Sequence, residues 1–227
     1  MKRILVFMLF IIAFPALCFA KDKLKIEYPQ FDLYAATSIT CNTPSIRGET
    51  RDITHGGYSA FNIDNIKVDI FQTNSTGKIS KTGFKSTTRS DENGDFKFCS
   101  LATGTYLLKA KASGYAPVRN IVELPSKTDG YIILGMYLRG LLPKYNSAIE
   151  GHFFDSKNNP IEGINIKIIG TKTHYKETTT TEGWDGEFVF YYLKPDTYEL
   201  TARKGQKTFK KTISLTKNLT YTFYKVW

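Results

Sequence analysis

Residues 178 to 205, TTTTEGWDGEFVFYYLKPDTYELTARKG, repeat the pattern of residues 87 to 114, TTRSDENGDFKFCSLATGTYLLKAKASG. Gly94, Phe96, Phe98, Leu101, Tyr106, Leu108 and Ala110 fall on Gly186, Phe188, Phe190, Leu193, Tyr198, Leu200 and Ala202 at one constant offset. Upstream, IDNIKVDIF (63–71) matches IEGINIKII (161–169), and IRGETRD (46–52) matches IEGHFFD (149–155). The offset changes only between these blocks. Length differences therefore fall in loops, as they do when strands are the fixed part of a fold.

Each block alternates with period two. Phe96 and Phe98 flank Lys97, and Ile164, Ile166 and Ile168 alternate with Asn165 and Lys167. Short alternating runs bounded by Gly, Asn, Asp and Pro predict half-buried antiparallel strands. DENGD and WDGE are turn chemistry, with Gly94 and Gly186 free to take positive φ beside a capping Asp or Asn. The closing strands GYIILGMYL (130–138) and LTYTFYKVW (219–227) alternate as well. Roughly seven short strands in about 90 residues describe a small two-sheet sandwich. The predicted fold class is all-β, two tandem small antiparallel sandwiches.

The order G-x-x-x-D, P-I-x-G-I-x-I-x-I, then T-x-x-x-G-x-F-x-F-x-x-L-x-P-x-x-Y-x-L-x-A resembles the carboxypeptidase regulatory-like domain, a transthyretin-like, Ig-like sandwich. The resemblance covers Ile149 to Trp227 well and Ser45 to Arg139 with longer loops. It implies a fold and no particular chemistry, since such modules serve accessory, binding and structural roles beside many partners. The expected organisation is a signal peptide over 1–20, an N-terminal segment over 21–44, and regulatory-like sandwiches over 45–139 and 147–227. The linker GLLPKYN (140–146) is too short for a flexible tether and predicts copies lying end to end. Residues 147–227 are expected to fold alone.

The first twenty residues, MKRILVFMLFIIAFPALCFA, carry Lys2 and Arg3, an apolar run and a terminal small residue ahead of KDK. That is the layout of a cleaved export signal. No second apolar run is long enough to span a bilayer. The formal net charge of +10 loses two units with Lys2 and Arg3 and remains basic. The lysines are spread among Thr and Tyr rather than gathered on one arm, which argues against nucleic acid as a partner and for anionic envelope polymers. Cleavage leaves Cys41 and Cys99. In an oxidising compartment an even pair predicts a disulfide, and a segment before Ser45 running over the face that carries Cys99 makes it reachable.

No catalytic set assembles. His174 opens HYKE, a fragment of a zinc peptidase motif, but no histidine follows it in the chain. His152 and His55 read as packing or surface histidines. The transthyretin-like fold also houses hydroxyisourate hydrolases, yet YLRG at Tyr137–Gly140 lacks their terminal tail and paired histidines. DENGD resembles a calcium loop but lacks the later bidentate Glu, so a plain turn is the better reading. Related surface domains form Lys–Asn isopeptide bonds using a Glu where this chain has Ala110 and Ala202. The expectation is a non-enzyme with no cofactor and no metal. Aromatics on turns, where no core demands them, are the binding candidates: Trp184, and Tyr58 with Phe61 in THGGYSAFN. Their expected partner is a protein or a polysaccharide of the cell envelope, met in the periplasm or at the cell surface. The alternative is a carbohydrate-binding accessory role for the same rings.

Overall fold

The computed structural model describes residues 41, 44–54, 61–74, 77–125 and 129–227. The described residues fall within one compact unit, Thr40–Trp227. Among the described residues it is all-β apart from one 3-10 turn. The first copy holds β1 (Ser45–Asp52), β2 (Phe61–Asn62), β3 (Lys67–Thr73), β4 (Lys85–Arg89), β5 (Asp95–Phe98), β6 (Gly104–Lys111), β7 (Val118–Leu124) and β8 (Asp129–Met136). The second holds β9 (Ser147–Phe154), β10 (Asn165–Gly170), β11 (Lys176–Thr180), β12 (Glu187–Leu193), β13 (Asp196–Lys204), β14 (Lys207–Leu215) and β15 (Thr220–Val226).

The repeat is visible in the contacts. Gly48 and Gly151 lie where a Cβ would strike the rings of Phe96 and Phe188, at 2.8 and 2.4 Å. Each glycine lets the phenylalanine of the neighbouring strand cross into its core. Gly94 and Gly186 take φ of 79° and 62°, the left-handed turns that the sequence predicts. Tyr106 and Tyr198 donate their hydroxyls to the carbonyls of Ala102 and Lys194, each four residues back. Ser90 and Thr181 accept from the amides of Ile66 and Ile164 and donate to the carbonyls of Ile63 and Ile161. One set of buried polar bonds thus serves both copies.

The sheets are where the structure departs from two sandwiches set end to end. β1 pairs with β2 and β5 antiparallel and with β8 parallel. β11, β10, β13 and β14 form a second sheet. Between them runs a seven-stranded sheet in the order β12-β9-β15-β7-β6-β3-β4, to which both copies contribute. Its join is a parallel pair, with Thr222 of β15 opposite Val122 of β7. The closing strands β8 and β15 are parallel to their opening strands, unlike the antiparallel pairing expected throughout.

Because the shared sheet is covered on both faces near its centre, its strands lose alternation there. Tyr221, Thr222, Phe223 and Tyr224 are all buried in succession, as are Asn120, Ile121 and Val122. Leu107 and Ile121 of the first copy pack in the second copy's core. Tyr224 and Phe154 of the second copy pack against the first.

Candidate functional site

Tyr58 and His55 lie outside the described residues. Phe61 begins β2, opposite Asp52, and is 69% exposed. The backbone of Trp184 lies in the 3-10 turn Gly183–Asp185, just before β12 in the other copy. Phe61 thus lies in the sheet of β1, and the Trp184 backbone in the turn that leads into the seven-stranded sheet. Cys41 and Cys99 form a disulfide with Cα atoms 5.1 Å apart. His174 sits in the connection between β10 and β11 with φ of 53°. Asp91 caps its own turn, accepting from the amides of Asn93 and Asp95 at 2.9 Å. Among the described residues no three His, Cys, Asp or Glu side chains group as a metal site.

What the sequence did not single out is a polar and aromatic shelf on β9, β12 and β15. Strand alternation sends Ile149, Gly151 and Phe153 to the second core and Glu150, His152 and Phe154 to the opposite face. There the His152 ring stacks on Tyr224 at 4.8 Å, with Phe154 6.3 Å beyond it. The Tyr224 hydroxyl donates to the carbonyl of Tyr131 on β8 at 2.6 Å. Glu150 faces Thr222 directly across the β9–β15 ladder, and their side chains meet at 2.9 Å. Thr222 also reaches Asn120 Oδ1 at 3.2 Å. One hydroxyl hydrogen serves one acceptor at a time, and Thr222 gives it to Glu150 Oε2 at the shorter distance, while Asn120 Nδ2 is buried without a partner among the described residues.

Burial moves the carboxyls of this shelf upward. Burial pushes Glu150 up to about 7, against the opposing hydrogen bond of Thr222. Burial, then the charges of Glu150 and Asp185, push Glu187 up to about 8. Burial holds His152 below its ordinary value despite Asp185. Tyr224 is driven upward by burial and by Glu150. Both carboxyls move the same way.

A second surface lies at the end of the second copy. Lys207, Thr208, Phe209, Lys225, Val226 and Trp227 line an open recess of about 430 Å³. Trp227 meets Phe153 edge-on at 5.2 Å, and Lys225 Nζ lies 5.4 Å from the Phe209 ring. Two cations beside apolar rings suit an anionic ligand with a flat apolar face.

With this geometry in place, the comparison with known families is decisive for the first copy: residues 59–132 match the model of the carboxypeptidase regulatory-like domain. This chain carries a carboxypeptidase regulatory-like domain. The match includes β2 to β7 of that domain and the first part of β8. No curated protein matches the chain in sequence. Among solved structures it is similar to the TIE protein of Bacillus anthracis, at 13% identity over 80% of this chain and 33% of that one, with a TM-score of 0.32. It is also similar to a streptococcal ancillary pilin, at 16% over 80% and 62%, with a TM-score of 0.31. A third is the shaft pilin SpaA of Lactobacillus rhamnosus GG, at 12% over 79% and 95%, with a TM-score of 0.31. The chain carrying the regulatory-like domain thus spans 33% and 62% of the length of the first two.

Among the described residues no helix is long and apolar enough to cross a membrane.

Proposed function

We propose that the chain is an exported, non-enzymatic module of two tandem regulatory-like sandwiches, which presents binding surfaces to a protein or anionic polymer of the cell envelope. The observation that carries this reading is the seven-stranded sheet running through both copies. It makes one stiff body of two domains, which suits a scaffold that must hold surfaces at fixed separation. The export-signal layout of residues 1–20 supports delivery to the periplasm or cell surface. The net charge of +10 and the lysine-rimmed recess at Trp227 support an anionic partner.

The test is retention of the purified mature protein on immobilised peptidoglycan and on an anionic envelope glycopolymer. Retention on the anionic polymer should fall with salt and drop at least tenfold in the Lys207→Glu, Lys225→Glu double variant. No retention on either polymer, or turnover in a screen of hydrolase substrates, would sink this reading.

A second reading is recognition of a neutral carbohydrate by the turn aromatics Phe61, Tyr58 and Trp184. The exposure of Phe61 favours it, since a ring that far out of the core offers a flat face for a sugar. A glycan array with Phe61→Ala and Trp184→Ala separates the two: salt-insensitive binding lost in those variants selects the sugar.

A further inference from the structure

The strand pair that joins the two copies has counterparts on the same molecule that, among the described residues, pair along one edge each. β15 and β8 correspond: Phe223 stands opposite Gly151 in one ladder and Ile132 opposite Gly48 in the other. β7 and β14 correspond too, with Val122 opposite Tyr106 and Ile213 opposite Tyr198. β15 uses its second edge to take β7 in parallel. Among the described residues, β8 pairs only with β1 and β14 only with β13.

The geometry points to a second copy of this chain as the occupant of both edges. β14 of one molecule adds in parallel to β8 of the next, repeating between molecules the β7–β15 join made within one. The contact uses different surfaces on its two sides and does not close on itself, so it propagates head to tail. It deepens the proposed scaffold role by naming a partner for two of its edges, and it stands on strand geometry alone.

The backbone directions fit. Met136 accepts through its carbonyl from the amide of Ile53, so Met136 and alternate residues back to Ile132 turn toward β1. Tyr131 and Ile133 turn to the open edge. Thr197 accepts from the amide of Thr171 beside β10, so its partner Ser214 turns away from β13 to the open edge of β14. Carrying over the observed register, Thr222 opposite Val122 becomes Tyr131 opposite Ile213 of the second copy. The Ser214 amide then donates to the Tyr131 carbonyl, and the Ile133 amide to the Ser214 carbonyl. That Tyr131 carbonyl is the one the Tyr224 hydroxyl now covers.

The side chains fit as well. Thr220 opposite Asn120 becomes Asp129 opposite Lys211, so no like charges meet, although Lys211 already pairs with Glu123 and Asp129 with Ser45 and Arg47 inside their own molecules. Tyr131 and Ile133 are 48% and 41% exposed, whereas their counterparts at the internal join, Thr222 and Tyr224, are 0% and 7% exposed. The open edge therefore displays apolar side chains at the positions the internal join buries. Stacking the Thr- and Lys-rich outer face of the β14 sheet over the shelf would also set lysines against Glu150 and Glu187.

Sedimentation velocity on the mature full chain, over a hundredfold range of concentration, tests this with two edge variants that each remove one outward amide. The wild type should sediment faster as concentration rises, forming species beyond the dimer. Ile133→Pro and Ser214→Pro should each stay monomeric, because each keeps only one usable edge. Mixed together they should give a one-to-one dimer and nothing larger, which also shows that both variants are folded. Tyr224→Phe, which uncovers the Tyr131 carbonyl, should lower the concentration needed for association several-fold. A wild type that is monomeric throughout overturns the proposal, even if it still binds its envelope polymer. Ser214→Pro that still dimerises alone overturns it in favour of a symmetric β8–β8 contact. Association seen only after deletion of residues 21–40 overturns it in favour of that segment as the occupant of the edge.

Discussion

Lys211 Nζ on β14 lies 2.7 Å from Glu123 Oε2 on β7, an ion pair that reaches from the second copy to the first. The hydroxyl of Tyr221 donates to the other oxygen of Glu123, so one carboxylate receives two donors across the join. Burial and this bond drive the Tyr221 hydroxyl far above its ordinary ionisation. The carboxylate, the ammonium and the phenol are all partly withdrawn from water, where charge-assisted bonds count for more than at a free surface.

Glu123→Ala should therefore cost about 2 to 3 kcal/mol, because it leaves a half-buried ammonium and a buried phenol without their acceptor. The loss should appear in both copies at once. Hydrogen exchange read at Ile46 of the first core and Ile166 of the second should accelerate together under native conditions. Acceleration at one and not the other would mean that the two cores unfold independently despite the shared sheet.

Phe188 fills the space that Gly151 leaves open and touches Phe153, Phe190 and Phe223 in one cluster. Phe188→Ala should cost about 3 to 5 kcal/mol. Gly151→Ala should be of similar severity, because its Cβ would sit 2.4 Å from the Phe188 ring. The double variant should be less damaging than the sum, since a truncated Phe188 no longer meets the new methyl. Urea denaturation of the four proteins reads this directly, and strict additivity would refute the contact.

The same residues show what was legible beforehand. A glycine facing a phenylalanine, a turn glycine and a corner tyrosine recur in both copies, and local sequence dictates each of them. The join between β7 and β15 is not local. Alternation assigns one buried face to a strand, and Tyr221 to Tyr224 were read that way, yet both faces are covered because a strand 100 residues earlier lies alongside. Glu150 and His152 were hidden for the same reason. Period two places them on an outward face, and only the neighbouring strands turn that face into a shelf. Phe61, expected in the long first loop, is exposed but begins β2, a two-residue strand that only its pairing with β1 defines.

The Cys41–Cys99 bridge spans 58 residues and ties a residue ahead of β1 to the one that follows β5. In the chain-entropy account a loop of that length contributes about 4 kcal/mol. Exported protein should differ from reduced protein by two hydrogens in intact mass, and reduction should lower Tm by several degrees. Free thiols at both positions in material taken straight from the envelope would contradict this.

Stability should be greatest near pH 5 and decline toward pH 8, the reverse of what paired carboxylates usually give. Glu150 rises from an ordinary 4.5 to about 7, and Glu187 from 4.5 to about 8. Between about 4.5 and 8 the native state therefore holds more protons than the unfolded chain. The slope of stability with pH is then negative, and the contribution, complete below 4.5, is gone above about 8. His152 works against this. Its lowered pKa makes the native state the poorer proton binder below 6.5, but it is one group against two carboxyls. Asp185 beside Glu187, and Tyr224 driven upward by burial, face the same groups. Asp196 sets the acid limit: burial alone would raise it, but the amide and hydroxyl of Thr173 and the amides of Thr197 and Lys172 hold it at about 2. Its contribution disappears as pH falls from about 4 toward 2. At about 1.4 kcal/mol per pKa unit, and with partial exposure reducing the effect, the decline from pH 5 to 8 should be on the order of a few kcal/mol. Glu150→Gln keeps the shape and removes the ionisation, so it should raise Tm at pH 8, leave it nearly unchanged at pH 5, and flatten the slope between them. Thermal melts at pH 5, 6.5 and 8 at fixed ionic strength measure all three. A wild-type Tm that rises from pH 5 to 8, or a slope that Glu150→Gln leaves intact, would show that the shelf carboxyls are ionised and solvated in the native protein.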